Sequence, residues 1–149
     1  MKRYIKAQAK TRAEVTDALE DKTLTALQHL AYLYVFGNVQ DYKHWRQEIW
    51  KFFHTMPKIR IGKKVRYLTK SEFLNATYNQ YNSQRVFEYV LSAAPELETG
   101  YKPNQEKISN ISEFKSICDN YFNWLAETIC QSGQVLPLEV YRKLDELEL

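Results

Sequence analysis

The chain has 149 residues, 44% of them hydrophobic and 26% charged, with a formal net charge of +3. That length and balance exclude a globally disordered chain and fit one domain, residues 1–149, with a proper core. Four glycines and four prolines are too few for an all-β chain built on many tight turns, so long helices are expected.

The opening residues, MKRYIKAQAK, are basic but lead into no apolar run, so they read as the start of a helix rather than a secretory signal. A first helix is expected over Arg3 to Glu20. Its apolar stripe (Ile5, Ala9, Val15, Leu19) is thin, and Ala, Lys, Gln, Arg and Glu supply helix propensity instead. Asp21 or Thr23 would cap the next helix, unless the two run on as one through Lys22. Leu24 to Phe36, LTALQHLAYLYVF, holds no formal charge. Leu24, Leu27, Leu30, Ala31 and Tyr34 fall on one helix face, and Leu33, Val35 and Phe36 make the other side apolar too. A helix apolar nearly all round is buried, and this one is too short to span a bilayer. The remaining elements are expected to pack on it, with no membrane as partner.

Gly37-Asn38 stops that helix, and Asn38 or Asp41 starts a third that runs to Thr55. Its apolar set is Tyr42, Trp45, Ile49, Phe52 and Phe53. So short a link predicts antiparallel neighbours. Pro57 ends this helix. Lys58 to Leu68, KIRIGKKVRYL, alternates apolar and basic residues around Gly62-Lys63, the pattern of a small hairpin. Thr69-Lys-Ser-Glu72 is a capping box, opening a fourth helix to about Ala93 with a kink expected near Asn82-Ser83. Glu96 to Lys107 reads as a loop. Asn110 to Gln131 is the most regular amphipathic helix, ended by Gly133, and Pro137 opens a last one carrying Leu138, Tyr141, Leu144 and Leu147. The expected fold is therefore mainly α: an irregular bundle of five to six helices with a small β-hairpin at residues 58–68.

Charge is unevenly placed. Residues 1–70 hold fifteen Lys or Arg against six Asp or Glu, and residues 71–149 hold six against twelve. Such halves attract one another within a fold, or permit self-association. The densest basic block is Lys58, Arg60, Lys63, Lys64, Arg66 and Lys70. On a hairpin, Lys58, Arg60, Lys64 and Arg66 would share one side, suited to a phosphate backbone, with Tyr67 available to a base if exposed. A second cluster, Lys2, Arg3, Lys6, Lys10 and Arg12, strengthens that reading only if the fold brings it beside the hairpin.

Chemistry is harder to find. His29, His44 and His54 form no metal-ligand pair by spacing, and Cys118 and Cys130 lack zinc-site spacing, so no metal and no cofactor are expected. Two thiols without a disulfide pattern fit a reducing, cytoplasmic setting. Arg46 and His54 resemble the Arg and His of HEPN-domain ribonucleases, though the seven residues between them here exceed the family's spacing. A helical ribonuclease would need those two side chains in one cleft. No catalytic residue is assigned. The sequence favours a non-catalytic protein that binds another protein through aromatic anchors such as Trp50, Tyr78, Tyr101 or Trp124, with nucleic-acid binding by residues 58–70 as the alternative.

Overall fold

The computed structural model describes residues 11–92 and 99–149. Among them the order is α1 (Arg12–Phe36), α2 (Tyr42–Phe52), β1 (Lys58–Ile61), β2 (Lys64–Tyr67), α3 (Lys70–Thr77), α4 (Gln80–Ser92), α5 (Gln105–Ile108), α6 (Ile111–Ser132) and α7 (Pro137–Glu146). The fold is mainly α with one small antiparallel hairpin, as the residue pattern predicts.

The uncharged stretch is the centre of the molecule. Ala26, Leu27, Leu30, Ala31 and Val35 have no exposure at all, and α1 meets α2, α3, α4, α5, α6 and β1. Of the two arrangements open at Asp21–Thr23, the structure takes the single helix through Lys22, and α1 is continuous from Arg12. No Gly or Pro interrupts it, and Thr23, fully buried, donates its hydroxyl to the Leu19 carbonyl (2.7 Å) instead of capping a new helix. Thr11 and Glu14 form the true capping box. The part of the expected first helix before Thr11 lies outside the described residues.

α2 folds back along α1, antiparallel as expected: Trp45 meets Tyr32 (5.3 Å between ring centroids) and, further along, Phe52 meets His29 (5.9 Å). The expected fourth helix is two helices. Tyr78 takes an extended conformation, and the Asn79 side chain accepts from the Asn82 N–H (2.8 Å), so α4 restarts there rather than kinking at Asn82-Ser83. The region read as a loop contains α5, because Asn104 caps the N–H groups of Glu106 and Lys107.

α6 supplies the second large face of the core: Phe114, Cys118, Tyr121, Phe122, Leu125 and Ile129 are all buried. It stops at Gly133, whose φ of 78° is left-handed. Val140 and Leu144 bury α7 against α2, whereas Leu138, expected on its apolar face, is 63% exposed. No helix of the described residues is long and apolar enough to cross a membrane.

Several ion pairs join the basic first half to the acidic second half: Arg12–Glu72, Arg66–Glu72, Lys70–Glu127 and Arg46–Asp145. Part of the charge asymmetry is thus consumed inside the fold.

Candidate functional site

The hairpin pairs Lys58 with Tyr67, Ile59 with Arg66, Arg60 with Val65 and Ile61 with Lys64. Gly62 opens the two-residue turn with φ 62°, while Lys63 keeps a negative φ; this is the sign pattern of a type II′ turn. A two-residue turn pairs even-numbered with odd-numbered positions, and directly paired residues share a face. Lys58, Arg60, Lys64 and Arg66 therefore do not share one side. One face carries Ile59, Ile61, Lys64 and Arg66; the other carries Lys58, Arg60, Val65 and Tyr67.

Ile59 decides which face turns inward. It is wholly buried, so that face lies on the helices at the Ile59 rung, while Ile61 (47% exposed) and Lys64 near the turn stay open to solvent. Arg66, on the same face, forms two parallel hydrogen bonds to Glu72 at the start of α3 (Nη1–Oε1 2.7 Å, Nη2–Oε2 3.0 Å). Glu72 also accepts from the Thr69 N–H (2.9 Å) and pairs with Arg12 Nη2 (3.0 Å). The Arg66 guanidinium, then the Thr69 N–H, hold its carboxyl pKa down at about 2. The outward face is exposed at Val65 (45%) and Tyr67 (55%), and the Lys58 ammonium lies 5.0 Å from the Tyr67 ring centroid.

The second basic cluster reaches this hairpin at its described end. Thr11 forms a parallel bridge with Arg60, which sets the start of α1 against β1, and Arg12 shares Glu72 with Arg66. Lys2, Arg3, Lys6 and Lys10 precede Thr11 in the chain and lie outside the described residues. Of the six candidate cations, Arg66 and Lys70 hold carboxylates of the fold, Lys70 through Glu127 at 3.0 Å. Lys58, Lys63 and Lys64 are exposed and form no ion pair among the described residues.

The expected aromatic anchors sit differently. Trp50, Tyr78, Tyr101 and Trp124 are all half-buried and pack on the core. Trp50 donates to the Val135 carbonyl (2.9 Å) and Tyr101 to Asp41 (3.0 Å). Tyr78 stacks on Phe122 (4.9 Å) and donates to Asp119 (2.5 Å), and burial followed by that bond pushes its pKa up. Among the described residues the exposed aromatics are instead Tyr67, Tyr81 and Tyr89. Tyr81 and Tyr89 stand eight residues apart on α4 with Arg85 midway, a helical spacing that marks one exposed ridge in the sequence.

Arg46 and His54 go to different neighbours. The buried Arg46 guanidinium donates to Asp145 and to the Leu149 carbonyl and lies 4.4 Å from the Tyr42 ring centroid. His54 is exposed and lies 5.1 Å from the Trp50 ring. The groove beside Arg46 is walled by Tyr42, Lys43, Gln47 and Tyr141, without His54. His29 contacts the Thr25 carbonyl (2.8 Å), and His44 faces Glu48. Among the described residues no three His, Cys, Asp or Glu side chains are grouped to hold a metal. Both cysteines are free, and burial pushes the Cys118 thiol well up. No protein-family model, curated protein or solved structure matches the chain.

Proposed function

We propose that the protein is a non-catalytic binding protein whose partner is a nucleic acid, engaged through the hairpin and the adjoining start of α1. The observation that carries this reading is the Thr11–Arg60 bridge, which sets Arg12, the described end of the second basic cluster, beside the hairpin. Glu72, the acid that grips the hairpin through Arg66, is shared between Arg12 and Arg66. Lys58, Lys63 and Lys64 are thereby left to meet phosphates, each contact releasing counterions. A reducing, cytoplasmic setting suits the two free thiols.

The test is the salt dependence of binding to a labelled mixed-sequence nucleic acid, for the wild type and for Lys58→Ala/Lys63→Ala/Lys64→Ala together. Each lost phosphate contact lowers the log–log slope by about 1, so the triple variant should lose about three. A slope that does not change would reject this surface.

A protein partner is the second reading, favoured by the ridge of Tyr81 (69% exposed), Arg85 and Tyr89 (58% exposed). It borders a groove against α1 lined by Leu24, Thr25, Gln28 and Val86. Nuclease-insensitive capture of one defined protein, lost in Tyr81→Ser/Tyr89→Ser, would favour it over nucleic acid.

A further inference from the structure

We infer that the outward hairpin face is specific for single-stranded nucleic acid, with an unpaired base laid on the Tyr67 ring and a flanking phosphate held by Lys58. This rests on the nucleic-acid reading above and narrows it to one class of ligand.

The register makes the argument. Because Lys58 pairs with Tyr67 and Arg60 with Val65, the outward face alternates cation with apolar or aromatic surface across the ribbon. It is not a field of charge alone. A phosphate backbone needs only the cations, and an exposed ring beside them adds something a duplex cannot use. In a duplex each base has its two faces covered by its neighbours, whereas an unpaired base offers a face to an aromatic side chain. Tyr67 is more than half exposed, and its own Lys58 cation stands against the ring, where it would meet the phosphate next to a stacked base. Val65, 45% exposed, extends the apolar platform beside it.

Duplex reading by a β-ribbon would leave the exposed ring idle. A ribbon in the major groove hydrogen-bonds base edges through Arg and Lys as well as Asn and Gln. Lys58 and Arg60 could serve there, but Val65 and Tyr67 make no such bond to a base edge, and each strand is only four residues long. An acidic polypeptide would satisfy the cations but gain little from a flat ring.

The experiment compares fluorescence anisotropy of a labelled oligothymidylate, a duplex of equal length and a labelled polyglutamate, using the full chain. Tyr67→Leu should weaken oligothymidylate binding by about tenfold, since a base stacked on an aromatic side chain is worth roughly 1–3 kcal/mol. Tyr67→Phe keeps the ring and should stay within about twofold of wild type by the same argument. Duplex binding should be weaker and indifferent to Tyr67→Leu. The position is exposed, so circular dichroism should report an unchanged fold. Equal affinity for both nucleic acids, or no effect of Tyr67→Leu, overturns the single-strand inference and leaves the nucleic-acid reading standing. Binding of polyglutamate as tight as that of the oligonucleotide overturns both, as does failure to bind either nucleic acid.

Discussion

Replacing Glu72 by Ala should weaken the fold and strengthen the proposed binding, two effects of opposite sign from one carboxylate. Glu72 closes the capping box on Thr69, grips Arg66 through both oxygens and pairs with Arg12. The Thr69 hydroxyl keeps its cap on the residue-72 N–H, and loss of the reciprocal Thr69 N–H bond costs about 1 kcal/mol. The two guanidinium pairs are partly exposed, with side-chain exposures of 42% for Arg66 and 61% for Arg12, so each is worth only about 0.5 kcal/mol. The sum is about 2 kcal/mol, or a fall in Tm of roughly 4–8 °C for a chain of this size. The carboxyl pKa is depressed to about 2 from an ordinary 4.5 in the folded state. Its contribution is therefore complete above the ordinary value and is lost as pH falls from there through about 2. Urea unfolding at neutral pH and at about pH 3 checks this, because the gap between wild type and variant should narrow at the lower pH. Glu72→Gln keeps an oxygen for the Thr69 N–H and should lose roughly half as much, with little pH dependence. A gap below about 0.5 kcal/mol at neutral pH, or one unchanged at low pH, would refute the reasoning. Removing a negative charge beside the hairpin should also raise affinity for nucleic acid in the same preparations.

Native protein should react with a thiol reagent at Cys130, which is exposed, and release the second equivalent only on unfolding, because Cys118 is buried and its thiol pKa is pushed up. Gly62→Ala should destabilise by about 1 kcal/mol in urea melts, since the site is open but its φ of 62° is strained for any residue with a Cβ. Asp145→Ala should cost more than Arg46→Met. The first leaves a guanidinium buried with the Leu149 carbonyl and an unpartnered Nε; the second leaves an exposed carboxylate to water. Phe122→Ala, under Tyr78 and against Phe53, should cost about 3–5 kcal/mol and lower the midpoint of unfolding accordingly.

What the sequence made legible follows from how local each signal is. Leu24 to Phe36 announces its burial because that helix is uncharged and apolar nearly all round, and no partner has to be known to see it. The Thr69–Glu72 box is equally local. Thr11–Glu14 is the same signal, hidden because the basic residues before it also look helical. The break at Tyr78 was not readable. It rests on Tyr78 reaching Asp119 and Phe122 on α6, partners far along the chain, while Asn79 accepts from the Asn82 N–H where α4 restarts. The half-burial of the four aromatics named as anchors has a related reason: an aromatic on a helix shoulder shows its full exposure only once its neighbours are known, as the Tyr101 hydroxyl donates to Asp41 and the Trp50 N–H to the Val135 carbonyl.

The hairpin shows where pattern and geometry part. Alternation alone suggests a basic side and an apolar side, but that holds for each strand taken singly. Once a two-residue turn sets the register, the basic side of one strand faces the same way as the apolar side of the other. Both faces are therefore mixed, and the fold uses them differently. The inner mixed face docks at the end away from the turn: Ile59 enters the core, Arg66 locks to Glu72, and the Leu68 N–H closes the base of the ribbon on the Pro57 carbonyl (3.0 Å). Two four-residue strands would be marginal alone, so this docking holds the ribbon in shape. The outer face is then presented in a fixed arrangement, Lys58 against Tyr67 and Arg60 beside Val65, and little ordering of the platform remains to oppose binding. By this argument Ile59→Ala should weaken binding without touching any residue of the outer face, and an oligonucleotide affinity that survives it would mean the ribbon binds as a loose chain of cations.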